Sequence, residues 1–196
     1  VITGPELFGL VLVGGRSTRM GKDKATLQYG EKPQAVASYE LLARCCAKVF
    51  LSCRQGQEIG GLPAIHDTVE GIGPMGGILS AFAAHPDKAW LVLACDLPFL
   101  TEATLRDLVA RRDPSQLATA YRSAHDGLPE PLCAIYEPTI AGKLREFVAQ
   151  EKVCPRKALI NLGVPLLDLP DPRALDNVNH PHEFEAARAV LDKSNQ

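Results

Sequence analysis

Phe8-Gly-Leu-Val-Leu-Val-Gly-Gly-Arg-Ser-Thr-Arg-Met-Gly-Lys-Asp-Lys24 is the stretch that governs the reading of this chain. Phe8 to Val13 is a short apolar run, partly β-branched and halted by Gly14-Gly15, which predicts a buried strand ending in a tight turn. Adjacent glycines let the backbone turn sharply and approach a ligand that a Cβ would hold off. Arg16, Arg19, Lys22 and Lys24 follow, four cations within nine residues. Backbone N–H groups exposed by glycine, beside cations, suit a phosphate.

Two familiar phosphate motifs do not match. A P-loop has four residues between its first Gly and Gly-Lys-Ser/Thr; here five separate Gly15 from Gly21-Lys22, and Asp23 stands where the hydroxyl would be. The dinucleotide fingerprint Gly-x-Gly-x-x-Gly fails as well, because Gly14 and Gly15 are adjacent and the next glycine is Gly21. The pattern from Leu12 to Lys24, Leu-x-Gly-Gly-x-Ser-x-Arg-Met-Gly-x-Asp-Lys, resembles instead the signature loop of the MobA-type molybdenum cofactor guanylyltransferases. These sit within the wider group of sugar-nucleotide and cofactor nucleotidyltransferases. The resemblance implies a loop wrapped around a nucleotide triphosphate. The wider group commonly has Ala where this chain has Val13, and Asp23-Lys24 favours the guanylyltransferase branch over its cytidylyltransferase relatives.

The chain's 196 residues suffice for one domain with a proper core, and 46% hydrophobic with 22% charged residues is a soluble globular composition. A net charge of -2 gives no general attraction to nucleic acid or anionic membrane, so any basic site is local. Val1 to Glu6 has no signal-peptide character, and the apolar run Ala89 to Cys95 is too short to cross a bilayer. Cysteines 45, 46, 53, 95, 133 and 154 show no Cys-x-x-Cys spacing and read as reduced, mostly buried thiols of a cytoplasmic protein without structural zinc.

Strand and helix signals alternate. Strands are predicted at Phe8–Val13, Lys48–Ser52, Leu62–His66, Trp90–Ala94, Leu117–Tyr121 and Leu132–Tyr136. Helices are predicted at Gln34–Ala47, Gly76–Ala84, from the Thr101 N-cap to Ala110, around Pro138–Gln150 and at His182–Leu191. This order implies an α/β fold with a mostly parallel sheet between two helical layers. Ligands then bind at the carboxyl ends of the strands, so Gly14-Gly15, Ser52, Asp67 and Asp96 are expected on one rim. An antiparallel departure is expected at 128–136, where only the Asp126-Gly127 turn precedes the strand.

Asp96 ends the buried run Leu91-Val-Leu-Ala-Cys95, ahead of a proline turn. A carboxylate there suits magnesium, which takes one or two carboxylates together with phosphate oxygens and water. The competing role, a helix N-cap, fits Thr101 better. The resemblance also gives the magnesium to this aspartate. It implies nucleotide contact for Leu12, Val13, Gly14, Gly15, Lys24 and Asp67. Ser52 stands where such enzymes often carry Asn, and a hydroxyl cannot offer an amide's paired edge. Gly71-Ile-Gly-Pro-Met-Gly-Gly-Ile-Leu79 matches a Gly-Pro-x-x-Gly segment whose glycines, Gly76 among them, could bring backbone to the base.

Towards the other end, Glu130-Pro131 and the stretch from Asn177 through Asn179 match weaker elements of the acceptor side. Arg156-Lys157 is either a grip on an acceptor phosphate or a solvated pair. Histidines 66, 85, 125, 180 and 182 make no metal-ligand spacing, and no His or Asn is placed to make Cys95 a nucleophile.

These readings converge on a single Rossmann-like nucleotidyltransferase domain over 1–196, with a nucleotide-binding half at roughly 1–110 and an acceptor half at roughly 111–196. The resemblance implies transfer of GMP from GTP, with Mg2+, to a molybdopterin-type acceptor. Arg19, Lys24 and Asp96 would be the catalytic residues, and cofactor-delivery proteins or molybdoenzymes the protein partners. A cytidylyltransferase of the same fold and a non-catalytic nucleotide-binding module are the alternatives. A dehydrogenase lacks its fingerprint.

Overall fold

The computed structural model describes residues 4–13, 33–69 and 71–176. These form β1 (Leu7–Leu12), α1 (Gln34–Ala43), β2 (Lys48–Cys53), β3 (Ala64–His66), α2 (Pro74–Ala84), β4 (Ala89–Ala94), α3 (Glu102–Ala110), β5 (Ala118–Arg122), β6 (Pro129–Tyr136), α4 (Ile140–Ala149), α5 (Pro155–Asn161) and β7 (Leu166–Leu167). Seven strands make one sheet in the order β3-β2-β1-β4-β6-β5-β7. β1 pairs in parallel with β2 and β4, β2 with β3, and β5 with β7. β6 runs antiparallel to both β4 and β5, and the short turn between β5 and β6 requires the latter pairing. Gly127, at φ 72°, supplies the left-handed residue of that turn, and Ser123 N–H donates to the Leu128 carbonyl at 2.8 Å to close it.

Alternation along the strands builds the layers. Leu7 and Val11 of β1 and Leu91 and Leu93 of β4 pack with Leu42 of α1 and with Leu105 and Leu108 of α3. Phe8, Leu10, Trp90 and Val92 point the other way, into a cluster with Ile78 and Phe82 of α2, Leu144 of α4 and Leu159 of α5. The sheet is therefore sandwiched, and β1 and β4 are buried along their whole length. Gly9 interrupts the apolar run because a Cβ there would stand 3.1 Å from Leu42 Cδ1 and 3.2 Å from Val49 Cγ2. Its absence lets α1 lie close to the sheet.

The element edges depart from the sequence expectation in explicable ways. α1 ends at Ala43 rather than Ala47, because Ala47 N–H already donates to the Leu7 carbonyl (3.0 Å) and leads the chain into the sheet. α2 begins two residues before Gly76, at Pro74, whose fixed φ and missing N–H suit a first helical position. Thr101 caps α3 as expected, its Oγ1 accepting from Thr104 N–H. α5 and β7 were not anticipated. The proposed helix at His182–Leu191 lies outside the described residues. No helix among the described residues is long and apolar enough to cross a membrane, and none of the six cysteines forms a disulfide.

At the edge of the sheet opposite the strands' carboxyl ends, Arg112 and Glu137 form a buried bidentate pair at 2.6 and 2.8 Å. Arg112 also donates to the Pro5 carbonyl at 2.9 Å. The pair joins the residues after α3, the end of β6 and the approach to β1. Removing one member leaves the other charge buried and alone, which costs far more than replacing both. Glu137→Ala is accordingly expected to lower unfolding stability by about 3–5 kcal/mol, with Arg112→Met/Glu137→Leu recovering most of it. Urea denaturation of the three proteins measures both.

Candidate functional site

The strand order reverses beside β1. The chain runs from β1 outward to β2 and β3, then returns to the other flank of β1 as β4. A crevice opens at the carboxyl ends of strands at such a reversal. The register gathers the side chains there: Leu12 pairs with Ser52 on one side and with Ala94 on the other, and Cys53 pairs with His66. Leu12-Val13, Ser52, Asp67 and Cys95-Asp96 thus end four neighbouring strands on one rim, as expected from the sequence. Gly14, Gly15, Arg19 and Lys24 lie outside the described residues.

Ser52 and Asp67 are directly bonded. Ser52 Oγ donates to Asp67 Oδ1 at 2.8 Å, and Asp67 N–H donates to the Cys53 carbonyl at 2.8 Å. Half-burial raises the Asp67 carboxyl above its ordinary value of 3.8. The Ser52 hydrogen bond, and then the charges of Arg54 and His66, oppose that rise without cancelling it. Asp96 is half-buried in the turn that follows β4. Gly76 is buried in the first turns of α2, where a Cβ would meet the Val69 carbonyl at 2.7 Å; its close approach is to the chain's own loop.

A cleft of about 480 Å³ opens alongside, between the loop entering α2, the end of β4, the beginning of β6, and α5. Ile72, Pro74, Leu97, Pro131, Val153 and Arg156 are among its walls, and Glu130 borders it. Arg156 is held by two carboxylates, Asp126 Oδ2 at 2.9 Å and Glu130 Oε2 at 3.1 Å, while Lys157 is exposed on α5. The structure therefore brings Glu130, Pro131 and Arg156 to one cleft. Asn177 and Asn179 lie outside the described residues.

Ser80, at the rim, escaped the sequence reading, and Gly77, the last glycine of the Gly-Pro-x-x-Gly segment, approaches a side chain rather than a base. Gly77 has its α-carbon turned to Ser52, and Ser80 Oγ donates to the Gly76 carbonyl at 2.8 Å while accepting from Thr68 N–H at 2.9 Å. The paired glycines of Gly76-Gly77 inside a helix were the available signal, since glycine costs about 1 kcal/mol there unless close packing requires it.

The MobA-like NTP transferase domain family matches residues 9–164. A "Molybdenum cofactor biosynthesis bifunctional protein" from Synechocystis is 38% identical over 190 residues, covering 93% of this chain. This chain spans 54% of that longer protein. A "Probable molybdenum cofactor guanylyltransferase" from Nostoc is 30% identical, with 95% of this chain and 93% of that one covered. Among solved structures, molybdopterin-guanine dinucleotide biosynthesis protein A from Archaeoglobus fulgidus superposes with a TM-score of 0.74 at 24% identity, covering 95% of this chain and 99% of that one. That likeness shows the fold.

The Asp67 environment has a measurable consequence. In the unfolded chain this carboxyl ionises at its ordinary value; in the fold it ionises higher, so the folded state holds its proton longer. Stability from this group is present at low pH and is lost as pH rises through the interval between the two values. Asp67→Asn carries no such cost, and its amide oxygen can still accept from Ser52. It is expected to be more stable than the parent at neutral pH, with the gain vanishing below the ordinary aspartate range. Thermal unfolding across that range checks the sign.

Proposed function

The chain belongs to the MobA-like NTP transferase family, and on that premise we propose that it transfers GMP from GTP to molybdenum-bound molybdopterin, releasing pyrophosphate and giving the guanine dinucleotide form of the cofactor. The observation that carries this reading is the gathering of Ser52, Asp67 and Asp96 on the rim beside the strand-order reversal, next to an apolar cleft. The guanylyltransferase names of relatives that align over most of their length support the choice of nucleotide and acceptor.

In this reading an oxygen of the pterin's phosphate attacks the α-phosphorus of GTP. A new P–O bond forms as the bond to the β-phosphate breaks, and pyrophosphate leaves with that electron pair. A phosphate is already an anionic nucleophile, so the protein contributes position and charge rather than a strong base. The backbone of Leu12, Val13, Gly14 and Gly15 cradles the nucleotide, and Arg19 and Lys24 neutralise charge on the transferred and leaving phosphates. Ser52 and Asp67 serve the nucleoside, with Gly76 keeping the Val69 loop close beside them.

Mg2+ is the cofactor this chemistry favours. A single strand-end carboxylate beside a nucleotide suits an ion that completes its shell with phosphate oxygens and water. Asp96 would hold it, where it would screen the charge of the bridging phosphates. On the acceptor side, the apolar cleft suits the flat pterin. Glu130, Pro131 and Arg156 border it, and Lys157, Asn177 and Asn179 complete that half, residues 111–196, opposite a nucleotide half at 1–110. The protein works in the cytoplasm and exchanges the cofactor with delivery proteins or molybdoenzymes.

GTP with magnesium is expected to raise the unfolding temperature, whereas CTP, ATP and UTP leave it almost unchanged; saturation at a hundredfold excess over Kd corresponds to about 2.7 kcal/mol. A shift with CTP alone would move the protein to the cytidylyl branch. Lys24→Ala and Asp96→Asn are each expected to reduce pyrophosphate release in the presence of the pterin acceptor by about a hundredfold or more, with far-ultraviolet circular dichroism unchanged. Near-parental rates in both variants would contradict the assignment.

A further inference from the structure

One small hydroxyl is confined on every side at the rim. Ser52 is 2% exposed, and its Oγ donates to Asp67 Oδ1. A Cβ on Gly77 would lie 2.3 Å from Ser52 Oγ and 2.9 Å from Leu12 Cδ2, so the hydroxyl occupies the space that any side chain at position 77 would need. The Asp67 backbone is fixed separately: its N–H donates to the Cys53 carbonyl at 2.8 Å and its carbonyl accepts from Gln55 Nε2 at 3.3 Å. The next residue, Thr68, is tied through its N–H to Ser80 Oγ at 2.9 Å. With the backbone held, the freedom left to Asp67 is rotation of its own side chain, and the Ser52 hydrogen bond removes it.

We infer that Ser52 acts as a positioning residue for Asp67, and that Gly77 is the glycine that keeps the Ser52 hydroxyl in place. Ser52 commits one carboxylate oxygen, and Oδ2, which receives no hydrogen bond among the described residues, accepts from an N–H or O–H of the nucleotide. The inference rests on the nucleotide-binding reading of this rim. It changes the expected part of Ser52, because a hydroxyl whose hydrogen is given to Asp67 is no longer a donor to a base.

The electrostatic surroundings make the role testable. Among the described residues, Arg54 after β2 and His66 of β3 are the charged groups that act on Asp67, and α2 brings no titratable side chain to it. Loss of the Ser52 hydroxyl removes the largest influence opposing the rise caused by burial. The carboxylate would then be lost at a higher pH, and nucleotide affinity with it.

The experiment measures GTP–magnesium affinity by calorimetry across the acid range for the parent, Ser52→Ala, Gly77→Ala and the double variant, with kcat and KM alongside. Ser52→Ala is expected to bind GTP about tenfold more weakly, with KM for GTP raised to match and the acid limb of binding displaced to higher pH. Gly77→Ala is expected to reproduce that loss by displacing the hydroxyl, and the double variant to lose no more than either single one. An unmoved acid limb in Ser52→Ala would overturn the inference, as would losses that multiply in the double variant. If Gly77→Ala does not fold, the acid limb of Ser52→Ala decides alone. Failure of the parent to bind GTP at all would instead overturn the functional reading, and this inference with it.

Discussion

Parallel pairing of β1 with β2 on one side and β4 on the other is the constraint on which the rest depends. Parallel strands point their carboxyl ends the same way, so the residues that follow them share one rim however far apart they lie in sequence. Leu12 is the common reference, pairing with both Ser52 and Ala94. Burial of β1 and β4 on both faces holds that register, because a slip by one residue would exchange the two apolar clusters. The antiparallel β6 then turns its beginning, rather than its end, towards the same rim. This is how Glu130 and Pro131 come to border a cleft beside the end of β4.

Around the rim, close packing and polar chemistry are joined. The first turns of α2 approach the ends of β1 and β2 because Gly76 and Gly77 have no side chains, and the gap is occupied by the Val69 carbonyl and the Ser52 hydroxyl. Asp67 is kept in a half-buried position that disfavours its charge, with Ser52 partly offsetting the penalty. Such an arrangement holds a carboxylate in one orientation before any ligand arrives. Arg156 is similarly committed, its guanidinium shared between Asp126 and Glu130, so it is a preorganised wall of the cleft.

What was legible in the sequence follows from the strength of each physical signal. The central strands were, because β1 and β4 are continuous apolar runs closed by glycines or by Asp96 and a proline turn. The antiparallel β6 was, because the Asp126-Gly127 turn is too short for a crossover. α5 was not: it has seven residues, no side-chain cap, and buries little besides Pro155, Ala158 and Leu159, so no periodicity develops. β7 pairs through two residues and depends on β5 for its existence. At the site, the strand-end rule brought Ser52, Asp67 and Asp96 together on paper. Their bonding pattern required the register, and the role of Gly77 required the helix that carries it.

The most direct measurement is a crystal structure of the protein with GTP and magnesium. The account predicts the nucleoside beside Ser52 and Asp67, the triphosphate over the end of β1, and the apolar cleft between β6 and α5 left open for the acceptor. A nucleotide seated in that cleft, away from Asp67, would contradict it.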